Sequence, residues 1–530
     1  MKETSSFRLQ LGFCYYGRMQ KYHVNIIGAG LAGSEAALQL AARGIKVTLI
    51  ESRPLFTDGV HETGLCAELV CSNSLKSESL SSAAGMLKRE LDVLGSFLYQ
   101  TARETRVPAG GALAVDRYAF AHAVTDQVTA APSINLVCGE ALSVHADGSI
   151  SLRVDKNGRE EKTPKADAVI VATGPLTSDS FADFITGVTG QDNLSFFDAA
   201  APIVMADSLD TNILFRQSRY EEGQGDYLNA PFTKEEYEQF ITALLSAKRV
   251  VRRDFETKEL FQACQPIEEI ARAGVDAPRF GPLKPVGLVD LRTHKRPWAA
   301  LQLRAENREG TCYNLVGFQT NLTFPEQRRV FQMIPGLEQA EFARYGVMHR
   351  NTFMDAPQLL ASDLSFKTER WQGVPLFAAG QITGTEGYCE AIRSGLHAAF
   401  GVVSRLRNLT PPPLSRQMAF GSLWLWASDP TTEDYQPMHV NFGIIEPLAE
   451  RVKNKRARYD AYAQRGGKAL DDYCHMLSKV GLLTDAYSDT CVAQSASASQ
   501  DDVNLHTEAS TDLDLYDQAP KASSHQGVVR

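Results

Sequence analysis

No apolar run in this 530-residue chain approaches the roughly 20 residues that a helix needs to cross a bilayer, and the longest ones carry polar interruptions. A membrane-spanning helix is therefore not expected. The first 20 residues contain Phe13, Tyr15 and Tyr16 but lack both a sustained apolar segment and a small-residue cleavage site. A secretory signal is not expected on that pattern, and residues 1–20 read as an extension, with Met19 as an alternative start. A paired cysteine framework is also missing, because nine cysteines, an odd number, in a chain of this length read as cytoplasmic thiols. No metal ligand set is expected. The net charge of −9 argues against nucleic acid only at first sight. Residues 485–530 hold eight acids against Lys521 and Arg530, so that a disordered acidic tail rich in Ser, Ala, Gln and Thr leaves the remainder near neutral.

What is present begins at residues 24–33, Val-Asn-Ile-Ile-Gly-Ala-Gly-Leu-Ala-Gly. An apolar strand enters Gly28, Gly30 and Gly33, with Ala29, Leu31 and Ala32 between them, and a helix is predicted over 34–43. The first glycine permits the turn and the second lets backbone approach a pyrophosphate, while the third brings helix and strand together. A second strand over 46–50 delivers Glu51, about 20 residues on, where a ribose hydroxyl needs an acceptor. This is a dinucleotide cradle. No second Gly-x-Gly-x-x-Gly follows it, so a separate nicotinamide Rossmann domain is not indicated.

Beyond the cradle, apolar spacing near 3.6 predicts a helix over 83–103, 107–115 reads as a turn into a strand, and 117–128 as a helix. Residues 149–154 alternate as a strand ahead of 168–174, Ala-Val-Ile-Val-Ala-Thr-Gly, which ends at Gly174. From 196 to 350 the texture changes to short strands, turns and prolines, among them Pro202, Pro231, Pro266 and Pro282. A strand over 374–379, a second glycine loop at Gly380, Gly384 and Gly387, and a helix over 388–406 then restore the Rossmann texture. The expected architecture is α/β: a discontinuous Rossmann-type FAD-binding domain in two parts, 21–195 and 351–484, around an inserted mixed α/β domain at 196–350, with a tail at 485–530.

Two cysteine settings stand out. Cys66 and Cys71 have the spacing of a redox dithiol, while Cys71 alone is able to face a flavin as nucleophile or acid. Cys264 precedes Pro266, and Arg279, Lys284, Arg292, Lys295 and Arg296 follow, either a positive potential that would lower a thiol pKa and attract an anionic substrate or a solvated basic face. Near the end of the globular region, Arg451, Lys453, Lys455, Arg456 and Arg458 form a basic run beside Tyr459 and Tyr462, either a phosphate-tracking face or a solvated helix.

Over residues 22–468 the chain resembles the folate- and flavin-dependent tRNA (uracil-5-)-methyltransferase family. The resemblance rests on blocks 67–77, 107–117, 282–287, 313–320, 344–353 (Arg-Tyr-Gly-Val-Met-His-Arg-Asn-Thr-Phe) and 380–395, which recur in order. It implies methylation of carbon 5 of the T-loop uridine, position 54 in tRNA numbering. Methylenetetrahydrofolate supplies the carbon, reduced FAD the electrons, and NADH or NADPH recharges the flavin. Cys264 matches the family's cysteine that attacks the pyrimidine and Cys71 a flavin-proximal one. Two other readings remain: an NAD(P)H disulfide oxidoreductase using Cys66 and Cys71, and an FAD-dependent modifier of wobble uridine. Cys66 departs from the family pattern, where an apolar residue is expected, and the extension and tail have no counterpart.

Overall fold

The computed structural model describes residues 21–191, 194–219, 225–250, 265–290, 293–367, 369–433 and 435–483. The expected extension at 1–20, the acidic tail and Cys264 lie outside them. Near-continuous apolar sequence makes strands that bury both faces, and four such strands with one more exposed edge strand form a parallel sheet. Their spatial order is Leu376–Ala378, Ala168–Val171, His23–Ile27, Lys46–Glu51 and Ile134–Cys138. Val24, Ile26, Val47, Leu49, Val169 and Phe377 are fully buried there. The first strand in that order comes from more than 200 residues downstream of its neighbour, so segments before and after residues 203–344 build one sheet.

The helices that follow the first and last of these strands in sequence, Leu31–Ala42 and Tyr388–Arg407, pack against each other. Close approach depends on Gly395, where a methyl group would lie 2.2 Å from the Ala32 carbonyl oxygen. A three-stranded antiparallel sheet, Glu140–Val144, Ile150–Arg153 and Glu160–Lys162, flanks this layer.

The single helix expected over 83–103 is two, Ala83–Val93 and Phe97–Glu104. Apolar periodicity runs through the break, but Gly95 takes φ +75° and Ser96 restarts the helix by accepting from the Tyr99 N–H at 3.2 Å. Buried Glu35 fixes the junction, accepting from Ser96 Oγ at 3.0 Å and the Leu98 N–H at 2.9 Å. Likewise residues 107–115 hold two short strands, Arg106–Val107 and Ala112–Val115, which pair with each other.

Between residues 203 and 344 the chain forms a six-stranded antiparallel sheet in the order Phe215–Arg216, Leu228–Phe232, Ala299–Ala305, Cys312–Leu315, Ile203–Met205 and Phe342–Arg344. Helix Lys234–Ser246 covers it, started by a capping box between Thr233 and Glu236. Phe232, Phe240, Leu301, Phe318 and Phe331 fill a core separate from that of the parallel sheet. The chain enters and leaves this region along one antiparallel ribbon, Leu194–Ala199 against Met348–Phe353.

Helix Lys455–Lys479 returns to the first core through Tyr462, Leu470, Tyr473 and Leu477. It starts at Lys455, so Arg451 and Lys453 precede it rather than sharing its face. Tyr459 is stacked on Phe442 at 4.3 Å and Tyr462 is buried. The Tyr462 ring is thus taken up by the core, and the half-buried Tyr459 ring has one face occupied by Phe442.

Candidate flavin and thiol site

The first glycine loop separates packing from access. A methyl group on Gly28 would sit 2.3 Å from the Ala172 carbonyl oxygen, and one on Gly33 would sit 1.9 Å from that of Gly28. On Gly30 it would meet nothing within 4 Å. Gly30 is also the N-cap of helix Leu31–Ala42 and makes no side-chain cap, so the N–H groups of Leu31, Ala32 and Gly33 have no intrahelical partners. Open backbone with orphan donors at a helix N-terminus suits a pyrophosphate. Glu51, at the end of the neighbouring strand, accepts from the Ala29 N–H at 3.0 Å and from Arg53 Nε at 2.9 Å. Burial opposes its charge, but Arg53 and these N–H groups outweigh that and hold its carboxyl below the usual range. An ionised acceptor thus stands where a ribose hydroxyl requires one. The residues present fit FAD.

The second loop closes on the first. Ala379 donates to the Val171 carbonyl at 2.9 Å, and a methyl group on Gly380 would lie 3.0 Å from Ala32 Cβ. Gly380, Gly384 and Gly387 carry φ of +84°, +74° and +118°. Gly174, also at positive φ (+68°), faces open space after the central strand. Within the second loop, Glu386 is half-buried, and its carboxyl is pushed up to about 8 by desolvation and by the charge of Asp198.

Cys66 and Cys71 separate sharply despite their spacing. Cys66 belongs to the first core, 1% exposed, and burial pushes its thiol up to about 11, the opposite of a reactive redox thiol. Cys71 is half-buried, with Sγ 3.6 Å from the Ala199 carbonyl on the connecting ribbon. Sequence reading missed the groups that place it. Tyr388, first residue after the second loop, accepts the N–H groups of Cys71 and Ser72 at 3.0 and 3.1 Å. Arg117 holds the carbonyls of Leu69 and Val70 while pairing with Glu306 at 3.0 and 3.1 Å. Arg304 reaches Asn73 Oδ1 at 2.8 Å and Ser72 Oγ at 2.7 Å. Arg304 and Glu306, at the end of strand Ala299–Ala305, thus brace the Cys71 turn from the inserted sheet.

The flanks of the Cys264 segment are described although Cys264 is not. Upstream, Val250 donates to the Asn321 carbonyl at 2.8 Å; downstream, Ile267 donates to the Gln319 carbonyl at 2.8 Å and Glu268 Oε1 accepts the Asn321 N–H at 2.7 Å. Both flanks therefore attach to one turn at 319–323. A methyl group on Gly346 would lie 2.7 Å from both the Thr320 side chain and the Ala200 carbonyl. That contact joins the anchoring turn to the residue after Ala199, against which Cys71 rests. Of the basic residues after Cys264, Lys295 and Arg296 are exposed, Arg279 stacks on Trp298 at 3.6 Å, and Arg292 lies outside the described residues. No group of His, Cys, Asp and Glu able to hold a metal occurs among the described residues, and no described helix is long and apolar enough to cross a membrane.

The profile of the family described as glucose inhibited division protein A matches residues 23–410. The chain belongs to that family. Among relatives of this glucose inhibited division protein A member, methylenetetrahydrofolate--tRNA-(uracil-5-)-methyltransferase TrmFO of Symbiobacterium thermophilum is 48% identical over 458 residues, covering 86% of this chain and 96% of that protein. TrmFO of Geobacter sulfurreducens is 48% identical over 462 residues, covering 86% and 99%. Similarity at this level and coverage places the chain with the TrmFO proteins. Aquifex aeolicus GidA superposes with a TM-score of 0.63 at 18% identity, over 90% of this chain and 78% of that one, a likeness of fold.

Proposed function

We propose that this chain is a folate-dependent tRNA (uracil-5-)-methyltransferase, acting on carbon 5 of the T-loop uridine at position 54. The observation that carries the reading is the convergence at Cys71, where a thiol turn is tied on one side to both glycine loops and on the other to the inserted sheet. Ala67 donates to the Ala29 carbonyl of the first loop at 2.9 Å, Tyr388 extends from the second, and Arg304 reaches across from the insertion. The division into 21–195 and 351–484 around 196–350 is part of this proposal, supported by the two separate cores and the single ribbon between them.

FAD, when bound, supplies the electron pair by which a methylene carbon falls short of a methyl group. Leu31, Ala32 and Gly33 would offer N–H groups to its pyrophosphate and Glu51 would accept from its ribose, while Gly174 leaves backbone open and Gly380, Gly384 and Gly387 hold the second loop beside it at positive φ. Methylenetetrahydrofolate is the carbon donor and NADH or NADPH the reductant, in the cytoplasm where tRNA is modified. Carbon 5 of uracil becomes nucleophilic when a thiolate adds to carbon 6, and Cys264 is assigned that addition. The target base leaves its stack to reach the thiol, at a cost of a few kcal/mol. Cys71, braced by Arg117, Arg304 and Tyr388, is assigned to the flavin side. The buried, high-pKa thiol of Cys66 speaks against a dithiol reductase.

The test incubates purified protein with labelled methylenetetrahydrofolate, NADPH and an unmodified tRNA transcript. Ribothymidine at position 54 is expected, and Cys264→Ala abolishes it with flavin retained. Disulfide reduction without ribothymidine would replace this reading, as would modification confined to the wobble position.

A further inference from the structure

Three rings on the inserted region form a continuous stack. Tyr345 lies 5.0 Å from Phe342 at 12° and 4.8 Å from Phe324 at 17°. Phe342 packs against the second core, while Phe324, at the start of helix Phe324–Phe331, is 50% exposed. The stack is therefore rigid at one end and open at the other. The Phe324 ring stands half in water and offers a π-surface of the right size for a nucleobase. One turn along the helix, Arg328 donates to the Tyr345 hydroxyl from Nε at 3.2 Å and Nη2 at 2.9 Å. A guanidinium has five N–H donors, and among the described residues Arg328 forms no ion pair, whereas Arg329 is matched by Glu326. The edge of the stack is thus cationic.

Its position matters as much as its chemistry. Phe324 directly follows the 319–323 turn that anchors both flanks of the Cys264 segment, and Thr323 itself donates to the Lys248 carbonyl at 3.0 Å. An aromatic face with an arginine at its rim that forms no ion pair among the described residues, next to the anchor of the attacking thiol, fits single-stranded RNA, whose bases stack on such rings while arginine meets the phosphates. We propose that the outer face of Phe324, backed by Tyr345 and Phe342, stacks an unpaired base of the tRNA substrate beside the extruded uridine, with Arg328 meeting the adjoining phosphate. The inference rests on the tRNA reading above and names a contact that reading does not contain.

The experiment uses the full-length flavin-loaded protein and an unmodified tRNA transcript, with Phe324→Ala and Phe324→Trp. Loss of the ring should weaken tRNA binding about tenfold and raise KM for tRNA in parallel, with kcat and bound flavin unchanged, and Phe324→Trp should restore both. Arg328→Gln should weaken binding less and flatten its salt dependence. A T-arm hairpin carrying 2-aminopurine beside the target should lose fluorescence on binding wild-type protein, a readout that holds even if Phe324→Ala fails to fold. Unchanged affinity in a folded Phe324→Ala protein, an equally weak Phe324→Trp, or no quenching at any loop position would overturn the platform. So would a change in sedimentation with tRNA affinity intact, which would make the ring a contact between copies of this chain. Wild-type protein that forms no ribothymidine defeats the enzymatic reading instead, and the binding comparison still decides the platform.

Discussion

The two glycine loops converge on one helix start, yet their glycines solve different problems. In the first, Gly28 and Gly33 are required because other backbone occupies the space of a side chain, and Gly30 leaves its space to a ligand. In the second, all three glycines hold positive φ, and their neighbours are chiefly side chains: Ala32, the Tyr435 ring and the Glu390 carboxylate. The carboxylates differ in the same way. Glu51 is held ionised beside the first loop, whereas Glu386 in the second is kept from ionising by desolvation and Asp198.

Breaking that contrast should have graded effects. Gly33→Ala forces a methyl group onto the Gly28 carbonyl and is expected to cost roughly 4 kcal/mol or more, seen as loss of soluble protein or of a cooperative melt. Gly384→Ala combines φ +74° with a methyl group 2.5 Å from the Tyr435 ring. Because that ring is tied to the Thr383 carbonyl at 2.7 Å, about 2 kcal/mol should be lost in denaturant unfolding. Gly30→Val meets no protein atom near Cβ, so its apoprotein should stay within about 1 kcal/mol of wild type. It should nevertheless purify colourless, and a yellow Gly30→Val protein would remove the pyrophosphate from that position.

The smallest effect concerns pH. The Glu386 carboxyl is raised in the folded state, so its contribution to stability is complete below its ordinary value near 4.5 and is lost as pH rises through about 8. Glu386→Gln should remove that part of the decline in Tm between pH 5 and 8, an effect on the order of a few degrees. Glu51→Gln should show no such flattening, since its carboxyl is lowered and its contribution is already in place above pH 4.5.

The first loop was legible because its spacing encodes its geometry: turn, close approach and acidic partner all fall within residues 24–51. The second was legible as a strand, glycines and a helix, but its descent onto Ala32 is a contact across more than 300 residues that local pattern does not carry. The break at Gly95 went unread because apolar periodicity persisted through it, and the signal that mattered, Ser96 as a cap, was a single residue. The brace around Cys71 was invisible for the same reason of distance. Arg304 and Glu306 look like ordinary strand-end charges until the fold sets them against Asn73 and Arg117. The packing of Tyr459 on Phe442 and of Tyr462 into the core was likewise not legible beside the basic run, because nothing nearby in sequence announces those partners.

The ribbon of Leu194–Ala199 and Met348–Phe353 sets the chain's outward and return crossings side by side. In evolutionary terms it is a socket: a module of different size can be grafted there without disturbing the order of strands in the parallel sheet. The Arg304 and Glu306 grip restricts that freedom, because any replacement without these two side chains would leave the half-buried sulfur poorly aimed even with its nucleotide cradle intact.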